Sequence, residues 1–131
     1  MGSYGDFVTS EWRQKRIAKN ETSFRDINER LEAGLKQVPH RPAVLEFVCE
    51  CGDRGCEDHV HMTFEEYEAV RRDSRRFAVV PGHVFPETEH VVADNGDYAV
   101  VEKFGATVEV TDAADHRALG TGGRRSRDAD P

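Results

Sequence analysis

The chain reads as a single α+β domain with a long N-terminal helix, a small antiparallel sheet and a second helix. A cysteine-bearing turn, expected as a zinc knuckle, lies between the first strands. Three observations lead there. Apolar residues recur at helical spacing through the N-terminal third, short β-branched runs follow a pair of prolines, and all three cysteines fall within one turn.

Ile17, Phe24, Ile27, Leu31, Leu35 and Val38 recur at intervals of 7, 3, 4, 4 and 3. That is one stripe of an amphipathic helix over about 10–37, with Ser10 as N-cap and Pro39 and Pro42 preventing continuation. Residues 1–9, glycine-containing and aperiodic, are expected as a flexible lead-in. Glu21, Arg25, Asn28 and Glu29 share another side of this helix. The sequence favours a solvated face there over a partner-binding one, with i,i+4 pairs such as Glu21–Arg25 worth about 0.2–0.5 kcal/mol each.

After the prolines, 43–49 is β-branched and aromatic and reads as a strand. His59-Val60-His61-Met62 can pair back on it as a hairpin. Thr63-Phe64-Glu65-Glu66 matches a capping box and opens a helix that ends near Arg72. Strands are expected at 77–80, 90–93 and 98–102, the last two flanking Asn95-Gly96, a hairpin signal. Thr107 to Val110 reads as an edge strand. The domain therefore spans 10–112, and 113–131, rich in Asp, Gly, Arg and Ala, is expected to be disordered.

Composition narrows the function classes. The 131 residues are 37% hydrophobic and 33% charged, with a mean hydropathy of −0.68. No run approaches the roughly 20 apolar residues of a spanning helix, and no signal peptide is readable, so a cytoplasmic protein is expected. Residues 43–104, which hold every cysteine, carry 6 basic and 14 acidic side chains, and the whole chain has a net charge of −7. Such a surface disfavours duplex nucleic acid. No Ser-His-Asp order, phosphate loop or dinucleotide fingerprint is present, and the adjacent Glu65 and Glu66 splay apart on a helix, so enzymatic chemistry has little support.

Cys49, Cys51 and Cys56 are spaced C-x-C-x4-C. Strand positions i and i+2 face one side, so Cys49 and Cys51 converge, and Gly52 and Gly55 let the backbone return Cys56 to the same point. An odd number of thiols argues against a disulfide framework, and crowding them into one turn favours a metal over free or redox-active thiols. Three thiolates fill three corners of a tetrahedral Zn2+ site, and His59, His61 and His83 are the available fourth donors. His83 is preferred because a rigid Pro-Gly corner can aim its ring. A closed Cys3His site, among Glu50, Asp53, Glu57 and Asp58, leaves no position for substrate and looks structural.

Several stretches resemble a family of small, uncharacterised, mostly actinobacterial proteins. They are Asn20-Glu21 through Asn28-Glu29-Arg30, Phe47-Val48-Cys49-Glu50-Cys51-Gly52-Asp53 with Cys56, Thr63 through Arg71, Arg75-Arg76-Phe77 with Pro81-Gly82-His83, and Val100-Val101-Glu102-Lys103. The resemblance covers about 17–104. It implies a metal site with His83 as the fourth ligand, and no reaction.

The expected function is thus a small zinc-binding module, non-enzymatic, presenting a regulatory or protein-binding surface built from the zinc turn and the first helix. Two alternatives stand beside it. One is a nucleic-acid-associated zinc protein using Arg71, Arg72, Arg75 and Arg76, which the sequence reads foremost as cations complementing a helix C-terminus. The other is a thiol redox sensor. No small-molecule substrate is evident.

Overall fold

The computed structural model describes residues 3–115 and 117. Helix α1 spans Ser3–Leu35, followed by strands β1 (Leu45–Val48) and β2 (His59–Met62), helix α2 (Phe64–Arg71), strands β3 (Arg76–Val79), β4 (Glu89–Asp94) and β5 (Ala99–Lys103), and a short helix α3 (Val108–Ala113). The architecture is α+β, with the cysteines beside the first strands.

The strands form two antiparallel sheets rather than one. β1 and β2 make a hairpin with Leu45 opposite Met62 and Val48 opposite His59. The second sheet has the order β3-β5-β4, and its β4 register slips at a bulge between Val91 and Ala93. One core cluster joins Leu45, Phe47, Val60 and Met62 to Tyr67, Val70, Ala78 and Val100. In it the rings of Phe47 and Tyr67 stack with centroids 4.4 Å apart. A second cluster joins Phe77, Val79, Ala99 and Val101 to Cys49 and Cys51.

α2 starts where local chemistry dictates. The Thr63 side chain accepts from the Glu66 N–H, and the Glu66 side chain accepts in return from the Thr63 N–H, a complete capping box.

α1 differs from expectation in extent and in orientation. It begins at Ser3, so Ser10 lies inside it rather than capping it, and 3–9 continues the helix. More consequentially, its buried face is largely polar. Ile17, Ala18, Glu21, Arg25, Asn28 and Glu32 are buried, whereas Ile27 and Leu31 are 46% and 36% exposed. The side read as solvated faces the protein, because each polar group finds a specific distant partner.

Glu21 Oε1 lies 2.7 Å from Lys103 Nζ, and both side chains are fully buried. Arg25 donates to the carbonyls of Ser74 at 2.6 Å and Thr111 at 3.0 Å, with its guanidinium over the Phe77 ring. Asn28 bridges the Val48 backbone, accepting from its N–H at 2.9 Å and donating to its carbonyl at 2.8 Å. Glu32 pairs with Arg117.

The chain end departs from expectation too. Gly105, with φ +78°, starts a 3-10 turn over Gly105–Thr107 that runs into α3, where an edge strand was expected. Ordered structure passes residue 112: Asp115 pairs with Arg71 at 2.7 Å, and Arg117 binds Glu29, Glu32 and Glu68. The disorder expected for 118–131 lies outside the described residues. Among the described residues no helix is long and apolar enough to cross a membrane.

Candidate metal centre

The segment between β1 and β2 is a knuckle held at both ends by backbone hydrogen bonds. The Cys49 N–H donates to the Asp58 carbonyl at 3.0 Å, the Glu50 N–H to the Ala78 carbonyl at 2.8 Å, and the Cys56 N–H to the Asp53 carbonyl at 3.0 Å. An Asx turn closes the tip, with the Asp53 carboxylate accepting from the Gly55 N–H at 2.9 Å. Gly52 is required by contact rather than by its dihedrals: a Cβ there would sit 2.4 Å from Ile17 Cγ2. Asn20 completes the contact by donating to the Gly52 carbonyl at 2.8 Å.

The fourth donor comes from the corner after β3. The His83 N–H donates to the Val80 carbonyl at 2.9 Å, and Gly82 has φ +94°. With Pro81 and Gly82 at the central positions, this fits a type II turn, which needs a residue that tolerates positive φ at its third position. The turn delivers the His83 ring to the knuckle. Its Nδ1 lies 3.5 Å from Cys49 Sγ and 3.7 Å from Cys56 Sγ.

The donor atoms of Cys49, Cys51, Cys56 and His83 all fall within 4.8 Å of one another. A tetrahedral ion with thiolate and imidazole bonds of ordinary length has S···N edges of about 3.6 Å and S···S edges of about 3.8 Å. The S···N distances from Cys49 and Cys56 match this, and all three cysteines are free thiols. These four residues can hold a metal ion. The donor set, three soft sulfurs and one imidazole, is compatible with tetrahedral zinc.

Hydrogen bonding and burial divide the three thiols, favouring negative charge on one of them. The Val80 N–H donates to Cys49 Sγ at 3.2 Å. The Cys51 thiol is pulled down to about 5, first by its hydrogen bond with Cys49 and then by those around Asp53 and His83, against the opposing effect of burial. Cys49 is driven up by the same bond and by burial, and Cys56 up by burial. On the far side of the imidazole, Nε2 lies 3.6 Å from the Asp58 carboxylate, the side from which metal-bound histidines are commonly oriented.

The other two candidate histidines stay outside the cluster. His59 and His61 occupy the exposed positions of β2, and His61 sits opposite Glu46, 3.5 Å from its carboxylate.

Glu50 proves to be a structural residue rather than part of an acidic surround. Flanked by Cys49 and Cys51, it points the other way, into the protein. It accepts from Tyr67 Oη at 2.6 Å, Asn28 Nδ2 at 2.9 Å and the Ala78 N–H at 2.9 Å. Burial raises its pKa while those donors oppose the shift. The i, i+2 alternation that groups Cys49 with Cys51 in the sequence also puts Glu50 on the other side, although in the structure all three follow the end of β1 at Val48.

Three of the four arginines between 71 and 76 lie beside carboxylates. Arg71 is buried between Glu29 and Asp115, Arg75 lies 3.6 Å from Asp112, and Arg76 pairs with Glu102 at 3.0 Å. Arg72 is exposed. Compared with protein-family models, curated proteins and solved structures, the chain matches none of them.

Proposed function

We propose that this protein is a small zinc-stabilised binding module in which Cys49, Cys51, Cys56 and His83 hold one Zn2+ in a closed, structural site. The carrying observation is the convergence of His83 Nδ1 on the sulfurs from a separate corner of the chain. When bound, the ion supplies charge neutralisation and a cross-link between the knuckle and the turn after β3. Cys49 and Cys56 take their positions from backbone hydrogen bonds at the ends of the knuckle, and Asp58 faces the outer nitrogen of the ring. Four protein donors leave no coordination position for a substrate, which supports a non-enzymatic role. Unpaired thiols suit a reducing, cytoplasmic setting. The working surface is the one shared by α1 and the knuckle, where Asn20 and Ile17 meet Gly52.

Metal analysis tests the reading. The purified protein should carry about one equivalent of zinc. Cys51→Ser and His83→Ala should lower it, while His59→Ala and His61→Ala should not. Equal, negligible zinc in wild type and Cys51→Ser would end the proposal.

A further inference from the structure

We propose that the face shared by the first half of α1 and the knuckle tip binds single-stranded nucleic acid, with Trp12 stacking on a base and Lys15, Arg16, Lys19 and Arg54 taking phosphates. This goes beyond the metal site. Three of the four cations lie on α1 and stand apart from the zinc reading; only Arg54, between Cys51 and Cys56, depends on it.

The four cations are exposed, and none has an acidic partner among the described residues. This sets them apart from Arg71, Arg75 and Arg76. Arg13, their neighbour, is already held by Glu87 at 2.7 Å. Trp12 is 66% exposed, and Lys15, Arg16 and Lys19 follow it at three, four and seven residues, the spacing that groups side chains along one side of a helix. Trp12, Lys15, Arg16 and Lys19 line one hollow of about 400 Å³. Arg16, Lys19, Asn20, Phe24 and Arg54 line a second of about 480 Å³. The two share Arg16 and Lys19, so they form one continuous track from Trp12 to the knuckle. Among the described residues, the acids lining these hollows and the one beside them are Glu11 and Asp53, and the Asp53 carboxylate already accepts from Gly55.

An open aromatic ring among unpaired cations is the arrangement that non-sequence-specific single-strand binders use, since every base has a face to stack and every nucleotide a phosphate. A duplex would bring its second strand against the rest of a chain of net charge −7, whereas one strand can follow the track alone. The sequence favoured a protein partner for this surface. Ile27, half exposed, lines the second hollow beside Arg16, Lys19 and Arg54, where it offers a base an apolar edge next to the phosphate-binding cations.

The test is titration of a fluorescein-labelled oligothymidylate of roughly 15 nucleotides, within the range of known single-strand site sizes. It is followed by anisotropy and by the fluorescence of Trp12, the only tryptophan in the chain. Binding should quench Trp12, and log K should fall against log salt with a slope of about −2.8 for four phosphate contacts. Arg16→Ala with Lys19→Ala should reduce that slope to about −1.4, whereas Trp12→Ala should weaken binding roughly tenfold with little change in slope. Circular dichroism of each variant confirms that the fold persists.

No binding at low salt would overturn the proposal. So would equal binding of polyglutamate without Trp12 quenching, which would mark an acidic-protein site. Self-association that hides Trp12 would do the same. If wild type holds no zinc yet the helix variants behave as stated, the zinc reading fails and the strand-binding face stands. If zinc is present and the oligonucleotide does not bind, the reverse holds.

Discussion

Two buried regions of this molecule handle charge in opposite ways. Under α1, Glu21 and Glu89 flank Lys103 at 2.7 and 3.2 Å, all three side chains fully buried, and Thr88 accepts from the same ammonium. The chain brings its own cation there. At the knuckle, three sulfurs and an imidazole converge with no Lys or Arg side chain hydrogen-bonded to the sulfurs among the described residues. A buried carboxylate cluster with a resident ammonium carries its own counter-charge, even though burial raises the Glu21 pKa and neither Glu21 oxygen gains a hydrogen bond; a thiol cluster without a resident cation is set up to be completed by an ion from solution.

The largest effect should come from breaking the knuckle. Strong chelation, or Cys51→Ser, should cost more than about 4 kcal/mol, as loss of a structural metal does, and thermal unfolding with and without added zinc will measure it. An unfolding midpoint indifferent to chelator would put both regions in the same self-sufficient class. Next, Lys103→Met should cost about 3–5 kcal/mol by stranding two buried carboxyl groups. Because that site is separate from the knuckle, its loss should add to the loss on chelation, which a chelator titration of both proteins will show. Gly52→Ala should cost about 1–3 kcal/mol, since the new methyl group has to displace Ile17; chemical denaturation measures it.

The contrast also explains what could be read in advance. Local chemistry was legible: the Thr63–Glu66 box, the Pro81-Gly82-His83 corner and the cysteine spacing each place a residue relative to its near neighbours. The orientation of α1 was not. Helical periodicity assigns the apolar stripe to the interior, and Ile27 and Leu31 obey the spacing while facing solvent. Asn28, Arg25 and Glu32 face inward because Val48, Thr111 and Arg117 meet them there, partners 20, 86 and 85 residues away. Spacing along one helix holds no record of them. The stretch after Phe104 failed for a smaller reason: β-branched Thr107, Val108 and Val110 suggest a strand, but Gly105 in a left-handed conformation turns the chain into a helix instead.

The smallest predicted effect concerns pH. Burial and the neighbouring Glu68 raise Glu32 from 4.5 to about 7, while hydrogen bonds, first from Arg117, hold Glu68 at about 2. A raised carboxyl takes up a proton on folding, so the Glu32 contribution is full below about pH 4.5 and fades as pH rises towards 7. The Glu68 contribution has the opposite sense, present above about pH 4.5 and lost as pH falls towards 2. Glu32→Gln should therefore flatten the decline between pH 4.5 and 7, seen as a shallower change of unfolding midpoint across that window. An unchanged profile would mean that Glu32 takes up no proton on folding in this window.

Ile17 resting on the bare backbone of Gly52 has a consequence for how such a sequence can vary. Those two positions trade volume: a chain that acquires alanine at 52 should tolerate it only where position 17 shrinks in step. Ile17→Ala, which removes the Cγ2 that a methyl at 52 would meet and by itself costs about 2–5 kcal/mol, then becomes the compensating change, whereas Ile17→Val keeps that carbon and does not. Sequences sharing this joint should drift there as a pair, leaving a covarying signature between a helix and a loop more than thirty residues apart.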